Sequence, residues 1–144
     1  MSNTIVVGFD GSDASQRALD YAVEAAKGSG ATVVIAHVLE WSPYSFLTPS
    51  EVEERHARRK EELARAEEHL LAPVVSALSD SGVSTATELQ YGHIAETLCK
   101  IAADHGASQV VIGRNGTTSV SDRLFGSVAG GLAQTAPAPV TIVP

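Results

Sequence analysis

The sequence has a single cysteine, Cys99, among its 144 residues. One thiol permits no internal disulfide and no cysteine-based metal site, and it fits a reducing cytoplasm. Long apolar runs are absent too: none approaches the roughly 18–20 residues that a membrane helix needs. The chain opens Met1-Ser2-Asn3-Thr4 and enters Ile5-Val6-Val7 at once. It shows no basic leader and no cleavage site, so a cytoplasmic location is expected. Basic charge is scarce, with 10 Lys and Arg against 17 Asp and Glu, for a net charge of −7. A duplex-binding protein draws most of its affinity from phosphate neutralisation, so nucleic acid is not expected as a partner. What is present is ordinary for a soluble globule: 44% hydrophobic and 19% charged residues. That composition excludes disorder and collagen, and the length suits one domain spanning residues 1–144.

Five Val- and Ile-rich segments punctuate the chain: Thr4–Phe9, Thr32–Leu39, Val83–Leu89, Gln109–Ile112 and Val140–Val143. Four are near-continuous apolar runs, as parallel strands buried on both faces are. Val83–Leu89 alternates with Ser and Thr, which places it at a sheet edge. Helical patterns separate them. In the first, Asp13 is expected as the cap with Gln16 as its capping-box partner, ahead of Ala14, Ala18, Ala22, Ala25 and Ala26 on one face. Ser50 with Glu53 repeats the capping signal for the second, which Pro73 should kink or divide. The third runs from Ile94 to His105 and stops at Gly106. The fourth begins near Gly126 and ends before Pro137. The order β-α-β-α-β-α-β-α-β predicts an α/β domain with a parallel sheet. Ligands of such sheets bind beyond the carboxyl ends of the strands, at the switch point in strand order.

The residues that leave those strand ends carry the sharpest signal. Gly113-Arg114-Asn115-Gly116 follows the fourth strand, nine residues run from Thr117 to Phe125, and Gly126-Ser127 opens a helix. Glycine permits close backbone approach. Successive backbone N–H groups and a helix N-terminus make an anion site. Arg114 and Arg123 add charge suited to phosphate. Each glycine taken alone reads as a turn or a cap; the two pairs flanking a polar loop point to phosphate. The loop is not a Walker P-loop, because the chain has no Gly-Lys pair, and no Gly-x-Gly-x-x-Gly fingerprint occurs.

The spacing Gly113-x2-Gly116-x9-Gly126-Ser127 resembles the nucleotide-binding signature of the universal stress protein family. The likeness spans the chain. Asp10-Gly11-Ser12 is similar to the family's opening loop, Ala36-His37-Val38 to its second strand, Gly92-His93-Ile94-Ala95-Glu96 to its Gly-x-x-Ala-Glu segment, and Ala136–Val140 to its approach to the last strand. At the second position of that Gly-x-x-Ala-Glu segment, where proline is common, this chain has His93. The resemblance implies a doubly wound, five-stranded parallel sheet in the order 3-2-1-4-5. It implies ATP binding, with Mg²⁺ expected from triphosphate chemistry. It assigns Asp10 to the ribose or adenine and Val38 to adenine through its backbone. Ile112, Gly113 and Gly116 would line ribose and phosphates, and Gly126, Ser127 and Val128 would bind phosphates. It also implies a homodimer that pairs the last strands, Val140–Val143.

Other candidates weigh less. Asp10 could simply brace the Gly11-Ser12 turn, but its convergence with the glycine loop favours a ligand role. His37, His56, His69, His93 and His105 show no metal-ligand spacing, and Cys99 reads as packing. The run Glu51–Glu68 reads as a solvated helix face. Trp41, Pro43, Tyr44 and Phe46 lie in a loop that is either packed on the body or a lid, with packing favoured. No Gly-x-Ser-x-Gly elbow occurs, nor a HIGH-like or Ser-Gly-Gly-x-Asp-Ser motif, and no base stands ready to activate water. The expected function is a regulatory ATP-binding module in stress response. The alternatives are a dimer or scaffold with a structural nucleotide, or an enzyme whose ATP hydrolysis stays below roughly 1 s⁻¹.

Overall fold

In a computed structural model of the chain, described over residues 3–40, 49–114 and 127–144, five parallel strands form one sheet. They are β1 (Thr4–Gly8), β2 (Thr32–Glu40), β3 (Thr85–Gly92), β4 (Gln109–Gly113) and β5 (Val140–Val143). The order is β3-β2-β1-β4-β5, as expected. Register aligns Val6 with Val34 on one side and with Val110 on the other. The central strands are buried on both faces, which is why they carry no alternation.

The helices are α1 (Asp13–Ser29), α2 (Pro49–Ala66), α3 (Ala72–Ala77), α4 (Ile94–Asp104) and α5 (Ser127–Thr135). The odd residues Ile5, Val7, Phe9, Val33 and Ile35 pack on one side against Ala18, Leu19, Ala22, Val23 and Ala26 of α1. Leu71, Val74 and Val75 complete that layer. On the other side Val6, Val34, Val110 and Ile112 meet Leu98, Ile101 and Ala102 of α4 and Ala129 and Leu132 of α5. The α1 stripe is mostly alanine, so that helix lies close to the sheet without side chains to hold it off. No described helix is long and apolar enough to cross a membrane.

Several boundaries differ from the sequence reading, each for a local reason. Ser12, not Asp13, caps α1: its backbone is extended and its Oγ accepts the Ser15 N–H at 3.1 Å. Asp13 is the first helical residue, where its charge faces the positive end of the helix dipole. The Gln16 side chain turns forward to Asp20 rather than back to the cap. α2 already includes Pro49, a residue suited to the first helical position, so Ser50 lies inside the first turn. β3 starts at Thr85 because the Val83 N–H is taken by Ser81 Oγ in a turn through Gly82 at φ +77°. It then runs on to Gly92, paired with Glu40. Gly106, at φ +59°, ends α4 as expected. The N–H of Ala107 reaches Ala102 O and that of Gly106 reaches Ala103 O, a Schellman stop.

Pro73 divides its helix as expected, through a π turn over Glu67–Leu71. Pro73 offers no N–H, and its ring would crowd the carbonyl four residues back. The chain widens instead, and the Ala72 N–H bonds Glu67 O, five residues earlier.

Candidate functional site

Strand order reverses between β1 and β4, so the segments leaving those strands sit side by side at the carboxyl edge. After β1 the chain turns through Asp10-Gly11-Ser12. Asp10 Oδ1 accepts the Ser12 N–H at 2.9 Å and also the Ser12 hydroxyl. Behind the turn, buried Ser15 accepts the Asp10 N–H at 3.3 Å and donates its own hydroxyl to Ser12 O at 2.9 Å. Asp10 thus braces the turn with one oxygen. Its second oxygen has no partner among the described residues, on a side chain open to solvent.

Gly113 ends β4. A Cβ there would stand 2.7 Å from the backbone C and O of Ala14 and 2.8 Å from its Cβ. The first turn of α1 rests on Gly113, and main chain cannot step aside as a side chain could. The absence of a side chain at position 113 is therefore required by helix packing, whatever binds nearby. Ile112 lies beneath, 5% exposed, in the same cluster as Val128 and Ala129 of α5. α5, which starts at Ser127, thus packs on the same face of the sheet as Ile112. Arg114 is exposed, and its N–H bonds Val143 O.

Val38 sits near the end of β2, half-buried against the α4 layer. Beside it, His37 Nδ1 lies 2.7 Å from Phe9 O. A carbonyl only accepts, so Nδ1 carries the proton. The Phe9 N–H bonds Ala36 O at 2.8 Å. Together these bonds tie β2 to the chain just before Asp10. Asp10, Val38, Ile112, Gly113, Arg114, Ser127 and Val128 thus belong to strand ends and one helix start at the same edge. Gly116, Gly126, Thr117–Phe125 and the Trp41–Phe46 loop lie outside the described residues. Sequence reading missed Ser15 and the bracing role of His37. A serine within an alanine stripe, or a histidine within a strand, does not announce its hydrogen bonds.

The opposite edge, at β3, is built from polar pairs. Tyr91 OH donates to Glu62 Oε2, and the Arg59 guanidinium lies 5.0 Å from the Tyr91 ring centroid. Burial, with the Glu62 carboxylate beside it, pushes the Tyr91 phenol up to about 12. Glu88 lies 2.9 Å from His105 Nε2, a hydrogen bond that holds the Glu88 carboxyl below its ordinary value of 4.5. Among the described residues no group of three or more His, Cys, Asp or Glu could hold a metal ion.

The arrangement is that of a doubly wound α/β domain whose ligand edge lies at the switch point between β1 and β4. The profile of the universal stress protein family matches residues 1–144, and the chain belongs to that family. It is 30% identical to universal stress protein YxiE of Bacillus subtilis, over 99% of each chain. The solved universal stress protein UspA from Lactobacillus plantarum superposes with a TM-score of 0.82 at 26% identity, covering 99% of this chain and 97% of its own. A universal stress protein solved in complex with cAMP is 29% identical, with a TM-score of 0.61, covering 99% of this chain and 96% of its own.

Proposed function

We propose that the chain binds an adenine nucleotide, ATP carrying Mg²⁺, at the carboxyl edge of β1, β2 and β4. Occupancy of that site would act as a regulatory signal in a cytoplasmic stress response. The observation that carries the reading is the meeting, at the switch point, of the Asp10 turn at the start of α1 with the Gly113 end of β4. The chemistry of these groups suits a nucleotide. The Asp10 oxygen without a partner among the described residues is an acceptor for ribose or adenine. Val38 offers backbone to adenine, and Ile112 and Gly113 offer a close backbone wall. The N–H groups from Gly126 through Ser127 to Val128 would meet phosphate at a helix N-terminus, and the family signature adds Gly116, with Arg114 supplying charge. The relative solved with cAMP supports the adenine class. Mg²⁺ would be held by phosphate oxygens and water rather than by a protein cage, and it would neutralise triphosphate charge.

The test is nucleotide content. Freshly purified protein is denatured and the released molecules are identified by mass spectrometry, beside a Gly126→Ala variant. Binding of Mg-ATP and of cAMP is measured by calorimetry. About one adenine nucleotide per chain, lost in the variant, is the expected result. Empty protein that also fails to bind added Mg-ATP or cAMP overturns the reading. The Gly113→Ala variant is unsuited to this purpose, because it disturbs the seat of α1.

The proposal includes a homodimer through Val140–Val143. β5 is an edge strand and its Ile142 is 40% exposed. Ile142→Lys is expected to sediment as monomer where the parent sediments as dimer; a parent that is monomeric at all concentrations removes this part.

A further inference from the structure

Leu70 reaches the candidate site from a distant part of the chain. Its position follows from Pro73. The π turn that Pro73 imposes adds one residue to the helical repeat and re-aims the side chains around it. Leu71 is thereby sunk into the core at 0% exposure, and Leu70 packs beside it against the α1 layer. Leu70 Cδ1 lies 2.9 Å from the point where a Cβ on Gly11 would stand. Gly11 is the centre of the Asp10–Ser12 turn, at φ +82°. The turn is therefore held by Ser15 on one side and covered by Leu70 on another.

We propose that Leu70 is a positioning residue for the nucleotide site. By lying against Gly11, it keeps the Asp10 turn closed and holds in place the exposed Asp10 oxygen that has no partner among the described residues, where a ribose or adenine group would meet it. The helix that follows β2 thus contributes to the site through one methyl contact. The contact is made where Gly11, at φ +82°, carries no Cβ, by a side chain that follows the π turn. A site group is only as well placed as the side chains that support it. This inference rests on the nucleotide reading above.

The experiment compares Leu70→Ala, Leu70→Met and Leu71→Ala in the full chain. Three quantities are read: melting temperature, the dissociation constant for Mg-ATP, and amide hydrogen exchange at Ser12 without ligand. Leu70→Ala is expected to weaken binding about tenfold, the lower end of the loss seen when supports behind metal ligands are removed, and to speed Ser12 exchange. Leu70→Met, which restores a methyl of similar reach, should recover both. Leu71→Ala should lower the melting temperature at least as much while leaving affinity near that of the parent. Parental affinity and parental Ser12 exchange in Leu70→Ala would overturn the proposal, as would an equal loss of affinity in Leu71→Ala. If Leu70→Ala does not fold, Leu70→Val is read in its place by the same criteria. A parent that binds no adenine nucleotide overturns the underlying functional reading instead, and Ser12 exchange then decides whether Leu70 holds the turn.

Discussion

The two sides of this sheet are held by different physics. At the switch point, β4 and α1 meet main chain to main chain: a single methyl on Gly113 would fall 2.7 Å from Ala14 backbone. At β3, beyond its backbone ladder to β2 and the packing of Leu89, contact with the helices runs through long polar side chains, Tyr91 to Glu62 and Glu88 to His105. The first kind of contact tolerates no added atom, since a packed interior has no free volume to yield. The second kind stands in partial contact with water, where each pair is worth little and can be exchanged. Precision in this fold is thus concentrated where the candidate ligand edge lies.

The comparison is most sharply tested at Gly113. Gly113→Ala is expected to destabilise the chain by about 1–3 kcal/mol through overpacking, read as a lower midpoint in urea. A stability equal to the parent would mean that α1 can shift away from β4, and the contrast between the sides would fail.

Ser12→Ala comes next. Ser12 caps α1 and also donates to Asp10, so its loss is expected to cost about 1 kcal/mol, measured in the same unfolding experiment. Replacement by Asp, another good cap, should recover most of that. A failure to recover would assign the effect to the Asp10 contact rather than to the helix.

The smallest effect belongs to the β3 side. Tyr91→Phe is expected to cost less than about 1 kcal/mol at neutral pH, because its partner Glu62 is exposed. Its signature is in titration. The folded phenol ionises at about 12 against an ordinary 10.0. Folding therefore favours the protonated form. That contribution is complete below pH 10 and disappears as pH rises towards 12. Tyr91 should ionise late by phenolate absorbance, and that late step should vanish in Tyr91→Phe. A variant that leaves the late step in place would show that Glu62 does not hold Tyr91 in solution.

Much of the fold was legible because buried parallel strands and amphipathic helices leave composition and period in the chain. The Val- and Ile-rich runs named all five strands, and the polar alternation of Val83–Leu89 placed β3 at an edge correctly. Boundaries were less legible where a side chain took over a backbone bond. Ser81 Oγ removed Val83 from the strand, and Ser12 displaced Asp13 as the cap. The candidate site was legible as strand-end glycines and Asp10, because the switch point follows from strand order. Its supports were not legible. His37 and Leu70 act across 28 and roughly 60 residues of chain, a separation that no local pattern encodes, and Ser15 reads only as one more small residue of the α1 stripe.

The sequence by itself determined the α/β class, the five strands, the division of the second helix at Pro73 and the glycine spacing that marks the family. Each of these is a local property, of side-chain hydrophobicity, of φ restriction or of a missing N–H. Only the tertiary structure decided why Gly113 must be glycine and that Leu70 closes over Gly11. Those are distances between segments far apart in the chain, and they exist only once the sheet has brought α1, β4 and the π turn together.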